Sequence, residues 1–187
     1  MADINSRTLR KPMADSANAK PIRTALSGED GIDLAIIELF FFAYRDFTSD
    51  PDLILAKYGF GRAHHRVLYF VNRKPGLTVA ELLDVLKITK QSLARVLKQL
   101  IDSGHVTQVQ GPRDRRQREL YPTARGRTLA LALARPQSRR IRAALESSTS
   151  TEREGIERFL KAMVNPELRA QIDNLPGNMP GEDHGKQ

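Results

Sequence analysis

Two groups of side chains in this 187-residue sequence have the types and spacing to grip a polyanion. The first is Thr89-Lys90-Gln91-Ser92, followed by Arg95 and Lys98. On a helix, Gln91, Arg95 and Lys98 fall at intervals of four and three and share one face. A Gln amide can pair bidentately with the edge of adenine, and an Arg guanidinium with guanine. Gln91, Ser92 and Arg95 are therefore the candidates for base edges, and Lys90 and Lys98 for phosphates. Thr89 is a candidate helix cap whose hydroxyl, or the amides beside it, can also meet a phosphate. The second group is Arg113-Asp114-Arg115-Arg116. Three guanidinium groups within four residues suit the narrow, negative minor groove of DNA. Asp114 among them is expected to pair with an Arg. An exposed pair contributes only about 0–1 kcal/mol, so its value lies in orientation.

The charge distribution supports this reading. The formal net charge is +8, and residues 87–127 carry ten bases against three acids, +7 in a single window. A basic cluster on one set of elements is the footprint of a polyanion partner; the alternative is a solvated basic face. The absence of Cys excludes a disulfide scaffold and thiol-based redox sensing. No apolar run reaches 18 residues, and residues 1–20 lack the apolar core of a signal peptide. A cytoplasmic protein with no membrane partner is expected.

Other chemistry is weaker. His64-His65, with His105, suggests a metal site, but adjacent side chains on a helix point about 100° apart. Structural or solvent-facing histidines are expected instead. Gly59-Phe60-Gly61 resembles the start of a dinucleotide fingerprint, but no strand precedes it and no third Gly follows in place. No Ser-His-Asp set or carboxylate pair has a recognisable context. No enzyme activity, metal or cofactor is expected.

The elements that must position the two basic groups are mainly helical. Residues 29–48 read as a helix, with Ile32, Ile36, Leu39, Ala43 and Phe47 in one stripe and apolar residues on its other faces. Such a helix is covered on several sides, and a second subunit can cover part of it. Asp50-Pro51 should start a separate short segment, 52–57. A helix over 62–73 ends at Lys74-Pro75-Gly76. Thr78 and Glu81 form a capping-box pattern for a short helix with Ala80, Leu82, Leu83 and Leu86 on its apolar side. Thr89 caps the next helix, 90–103, roughly 20 Å long. Its inward stripe is Leu93, Val96, Leu97, Leu100 and Ile101, and Gly104 stops it. His105–Gln110 and Gln117–Tyr121 read as a hairpin with a basic tip. Pro122 closes it, and Thr123 caps a long helix to about 147 that Pro136 must kink or open. A helix at 151–163 and a short one starting at Pro166 complete the pattern. Residues 1–27 and 175–187 read as a disordered basic arm and a disordered tail.

The segment LTVAELLDVLKITKQSLARVLKQLIDSGHV, followed by DRRQRELYPTARG, closely resembles the MarR family of bacterial regulators. The family's wing signature is Asp-x-Arg, a strand, then Leu-Thr-x-x-Gly. Here it reads Asp114-Arg115-Arg116 and Pro122-Thr123-Ala124-Arg125-Gly126, with matching spacing. GFGRAHHRVL and LKITKQSLARVLKQLI look similar to the PetP-like subgroup of that family. The resemblance covers residues 30 to 165. It implies an obligate homodimer, Arg115 or Arg116 as the minor-groove contact, and Asp114 as its orienting partner. It also implies a small aromatic or carboxylate effector in a region that here contains Tyr44, Phe47, Arg62, His65, Arg66 and Tyr69. Two departures stand out. Lys87 replaces the turn Gly, which costs of the order of 1 kcal/mol if φ is positive there. Pro122 replaces Leu and should end its strand early.

The expected fold is mainly α with a small β-hairpin: a winged helix-turn-helix plus a helical dimerisation domain. The expected parts are a dimerisation helix and connector over 28–60, the DNA-binding module over 61–122, and further dimerisation helices over 123–174. The expected function is a homodimeric, sequence-specific regulator bound to double-stranded DNA. The alternative is an architectural DNA-binding protein of low specificity, which the basic arm favours slightly.

Overall fold

The computed structural model describes Ala25, residues 31–111 and residues 117–173. Its elements are α1 (Leu34–Ala56), α2 (Arg62–Arg73), β1 (Leu77–Thr78), α3 (Val79–Leu86), α4 (Lys90–Asp102), β2 (Val106–Gln110), β3 (Arg118–Pro122), α5 (Ala124–Ala144), α6 (Ser150–Met163) and α7 (Pro166–Asp173). The chain divides into two units, Met1–Leu39 and Phe40–Gln187. In the first, Asp33 caps α1 by accepting the Ile36 N–H at 3.0 Å. The helix therefore starts at residue 34 rather than 29.

In the second unit α1 continues to Ala56, through Pro51 and across the break expected at Asp50. Proline removes the donor that would reach the carbonyl four residues earlier, here that of Phe47. The Gln137 Nε2 of α5 donates to that carbonyl at 3.3 Å. Pro51 itself is buried, so the residue that reads as a break packs instead. Among the described residues the expected stripe on α1 is exposed except at Phe47, which is half-buried. Its buried residues are Thr48, Pro51 and Leu55, all toward the C-terminal end. A Schellman motif ends the helix: Phe60 N–H donates to Leu55 O at 3.1 Å, Gly59 N–H to Ala56 O at 3.1 Å, and Gly59 has φ +68°.

The core lies under α2, α3, α4 and the sheet. Val67, Leu68 and Val71 of α2 meet Leu82 of α3, Leu93 and Leu100 of α4, Val106 of β2 and Leu120 of β3, all 3% exposed or less. Each such side chain contributes roughly 1.5–3 kcal/mol on burial. Leu129 and Leu133 of α5 belong to the same cluster. On α3, Leu82 and Leu86 are buried, whereas Ala80 lies on the exposed side, against expectation.

The hairpin is the larger part of a three-stranded antiparallel sheet, in the order β1-β3-β2. Two-residue β1, absent from the sequence reading, pairs Leu77 with Leu120 and Thr78 with Glu119. Pro122 does not shorten β3; it is the last paired residue, opposite Val106. Beyond it, Thr123 caps α5 by accepting the Gly126 N–H at 3.0 Å. Its hydroxyl donates to Gly104 O at 2.7 Å, tying the start of α5 to the end of α4. Pro136 lies inside α5, which runs through it. Among the described residues, no helix is long and apolar enough to cross a membrane.

Candidate nucleic-acid interface

Two local devices fix the frame of the site. Thr78 accepts the Glu81 N–H at 3.2 Å, and the Glu81 carboxylate accepts the Thr78 N–H at 2.8 Å. Burial alone would raise this carboxyl. Lys74 at 2.7 Å and the Thr78 amide and hydroxyl outweigh that and hold it at about 2. The turn from α3 to α4 then passes through Lys87 with φ 49° and ψ 44°, in the left-handed region. The turn does need positive φ, so Lys87 carries the backbone strain that Gly would avoid.

At the start of α4, Thr89 accepts the Ser92 N–H at 3.1 Å, and its hydroxyl donates to Ser92 Oγ at 2.8 Å. Both candidate hydroxyls are thus oriented before any partner arrives. Leu93, Val96, Leu97 and Leu100 are buried along one side of α4. Lys90, Gln91, Ser92, Ala94, Arg95 and Lys98 are exposed on the other. The structure therefore brings every candidate on this helix to one continuous polar face. Lys98 is held by Asp102 at 2.5 Å, one turn later. The sequence reading did not use that i,i+4 spacing, although it was visible there.

The hairpin rises from this frame with Gly111 N–H donating to Gln117 O at 3.0 Å. Arg118 is exposed at the foot of β3. Arg113, Asp114, Arg115 and Arg116 lie outside the described residues.

The effector candidates lie on α1 and α2, and several already have partners. Arg62 pairs with Asp52 at 2.8 Å and lies over the Tyr44 ring at 5.6 Å. Arg66 donates to Leu86 O at 3.3 Å. Phe47 is half-buried, and Tyr69 is exposed but packs edge-on against Phe70. Burial pushes the His65 ring below the usual imidazole range, with Asp52 opposing.

Among the described residues, no three His, Cys, Asp or Glu side chains form a metal-binding group. His64 accepts the Gly61 N–H on Nδ1 at 3.1 Å, which leaves Nε2–H to donate to Gln99 Oε1 at 2.7 Å. Gly61 is therefore a helix cap, not part of a phosphate loop.

Comparison with known proteins agrees with this geometry. Residues 58–117 match the model of the MarR family. Over 139 residues the chain is 49% identical to the HTH-type transcriptional regulator PetP of Rhodobacter capsulatus, covering 74% of this chain and 84% of the relative. Among solved structures, a MarR protein from Peptoclostridium difficile superposes with a TM-score of 0.63 at 20% identity, covering 80% of this chain and 97% of the other. A MarR transcriptional regulator from Methanosarcina mazei gives a TM-score of 0.58 at 25% identity, covering 70% and 94%. The chain belongs to the MarR family of transcriptional regulators.

Proposed function

We propose that this regulator works as a homodimer on a pseudo-palindromic DNA site, with α4 in the major groove and the 112–116 tip along the minor groove. The observation that carries this is the polar face of α4, presented whole to solvent while the opposite face is sealed into the core. Gln91, Ser92 and Arg95 read base edges; Thr89, Lys90 and Lys98 hold phosphates. Arg113, Arg115 and Arg116 enter the minor groove, with Asp114 orienting one of them. Support for a second copy comes from α6, where Ile156, Phe159, Leu160 and Met163 form an exposed i, i+3, i+4, i+7 stripe. Residues 28–60 and 123–174 are the dimerisation segments flanking the 61–122 DNA-binding module. Two recognition helices would then sit about one helical turn of DNA apart, roughly 34–36 Å.

A small aromatic or carboxylate effector bound near Tyr44, Phe47, Arg62, His65, Arg66 and Tyr69 would modulate the spacing. Its anionic group would use Arg66 or Arg62, competing with Asp52 at Arg62, and it must bind the released form more tightly than the DNA-bound one.

Footprinting on DNA upstream of its own gene tests the reading. A protected palindrome at moderate salt is expected, with affinity falling steeply as salt rises. Arg95→Ala should relax base preference, and Lys98→Ala should weaken all sequences alike. No protected site, or equal competition by random DNA, overturns the specific-regulator reading.

A further inference from the structure

His105 stands where the end of the recognition helix meets the rest of the protein, and the DNA-binding reading gives it no role. It is fully buried. The end of α4 repeats the device that ends α1: His105 N–H donates to Leu100 O at 2.8 Å, Gly104 N–H to Ile101 O at 2.9 Å, and Gly104 has φ +70°. Phe60 and His105 are therefore the equivalent residues after two Schellman motifs. Their rings meet edge to face at 5.3 Å. Phe60 also stacks on His64 at 4.6 Å, and Tyr58 meets His105 edge-on at 5.6 Å. On the far side, the carbonyl of His105 accepts the Thr123 N–H at 3.2 Å and lies against Gly126, where a Cβ would come within 1.9 Å of its oxygen. One residue thus touches the connector after α1, the end of α4, the start of β2 and the first turn of α5.

Its ring is committed to one proton arrangement. The Ser103 hydroxyl donates to Gln99 O at 2.7 Å, so Ser103 Oγ is free to accept from His105 Nδ1–H at 2.9 Å. Nε2 is buried and has no partner among the described residues. The same Gln99 holds His64 through its side chain, so both histidines fasten to the last turns of α4.

We propose that His105 is a positioning residue, a joint through which α1 and α5 set the orientation of the recognition helix, and that it holds that orientation only with a neutral ring. A second ring proton would fall on the buried Nε2. The titratable and charged groups facing the ring are Arg125 from α5, Tyr58 from the connector and, across Phe60, His64 from α2. None of these is a carboxylate, so none would stabilise an imidazolium. Burial first, then the charge of Arg125, pushes His105 below the usual imidazole range. Relaxing the joint would let water reach Nε2, so acid should favour the relaxed, poorly binding form.

The inference rests on the DNA-binding reading, and two measurements separate them. Affinity for a duplex selected from random sequence by the full chain is measured at pH 7.5 and 5.5, in wild type, His105→Asn and His105→Phe. Asn keeps a donor for Ser103, and Phe keeps a ring for Phe60; neither can be protonated. Wild type should lose about tenfold on acidification, because the tightly binding form excludes the second ring proton. Each variant should change by less than about threefold. In parallel, hydrogen exchange of residues 99–106, corrected for intrinsic rate, should rise with acid in wild type and not in the variants. Equal acid losses in all three proteins, or unchanged protection in wild type, overturn the joint. Absence of selected DNA, with the exchange difference intact, overturns the DNA reading and leaves the joint standing.

Discussion

Within residues 62–122, α2, α3, α4 and the sheet all bury apolar side chains against one another. The fourteen residues of α6 bury none, and α1 buries only part of its length. On α1, Phe41 and Phe42 are 69% and 55% exposed, and on α6 Met163 is 60% exposed. The contrast is between a module that completes its core within one chain and helices that do not. Large exposed apolar faces are rare on monomers and mark interaction surfaces. The proposed binding face of α4 is the reverse: polar outside, sealed inside. The exposed apolar faces of α1 and α6 are therefore the surfaces that the proposed dimer would cover, whereas the winged module is packed as a domain.

The largest expected effect tests the junction of the two regions. Gly126→Ala places a Cβ on the His105 carbonyl, and backbone cannot yield as a side-chain tip does. A loss of roughly 3 kcal/mol or more is expected, as for severe overpacking, read as a large drop in thermal midpoint. A near-wild-type midpoint would mean that the start of α5 is not packed as described. Next is Phe159→Glu on α6, where Phe159 packs against Phe40 at 5.9 Å. Loss of an aromatic anchor is worth about 2 kcal/mol in association, some thirtyfold. Sedimentation should show the proposed dimer for wild type and monomer for the variant, with the circular dichroism of the winged module retained. An unchanged dimer would break the comparison, because that face would then not be the interface.

A smaller effect, opposite in sign, sharpens the picture inside the module. Lys87→Gly removes a side chain from a left-handed backbone and should stabilise by about 1 kcal/mol, although it forfeits the exposed Asp84 pair. Denaturant unfolding at fixed m-value reads this directly. The smallest effect concerns Glu81. Its folded pKa lies below the unfolded one, so its stabilisation is present above about pH 4.5 and is lost as pH falls toward about 2. Glu81→Gln should cost a few tenths of a kcal/mol at neutral pH, because the group is half exposed. It should also flatten acid unfolding in that window; an identical acid limb in both proteins would show that the Lys74 link contributes nothing.

Much of the site was legible because its determinants are local. A threonine hydroxyl at a helix start answers an amide three residues on, so Thr78, Thr89 and Thr123 could be assigned as caps from spacing alone. The buried stripe of α4 and its polar face follow from the same periodicity. Pro51 misled for the opposite reason. Locally it is a helix breaker, and the group that answers the freed Phe47 carbonyl lies ninety residues away on α5. Strand β1 was invisible because two residues carry no periodic signal; β3 makes it a strand. His105 reads from sequence as a structural or solvent-facing histidine, and the contacts that make it structural, to Phe60, Ser103 and Gly126, are connected to it by no spacing.

The sequence by itself determined what depends on neighbours within a turn or two: the caps, the amphipathic faces, the basic charge of the 87–127 window, and the short motifs that resemble those of the MarR family. Tertiary structure decided which apolar faces found a partner inside the chain, why a proline continues a helix, and why residue 126 is glycine. The physical reason is range. Hydrogen-bond caps and helical periodicity are local properties of the chain, whereas packing depends on groups that only folding brings together.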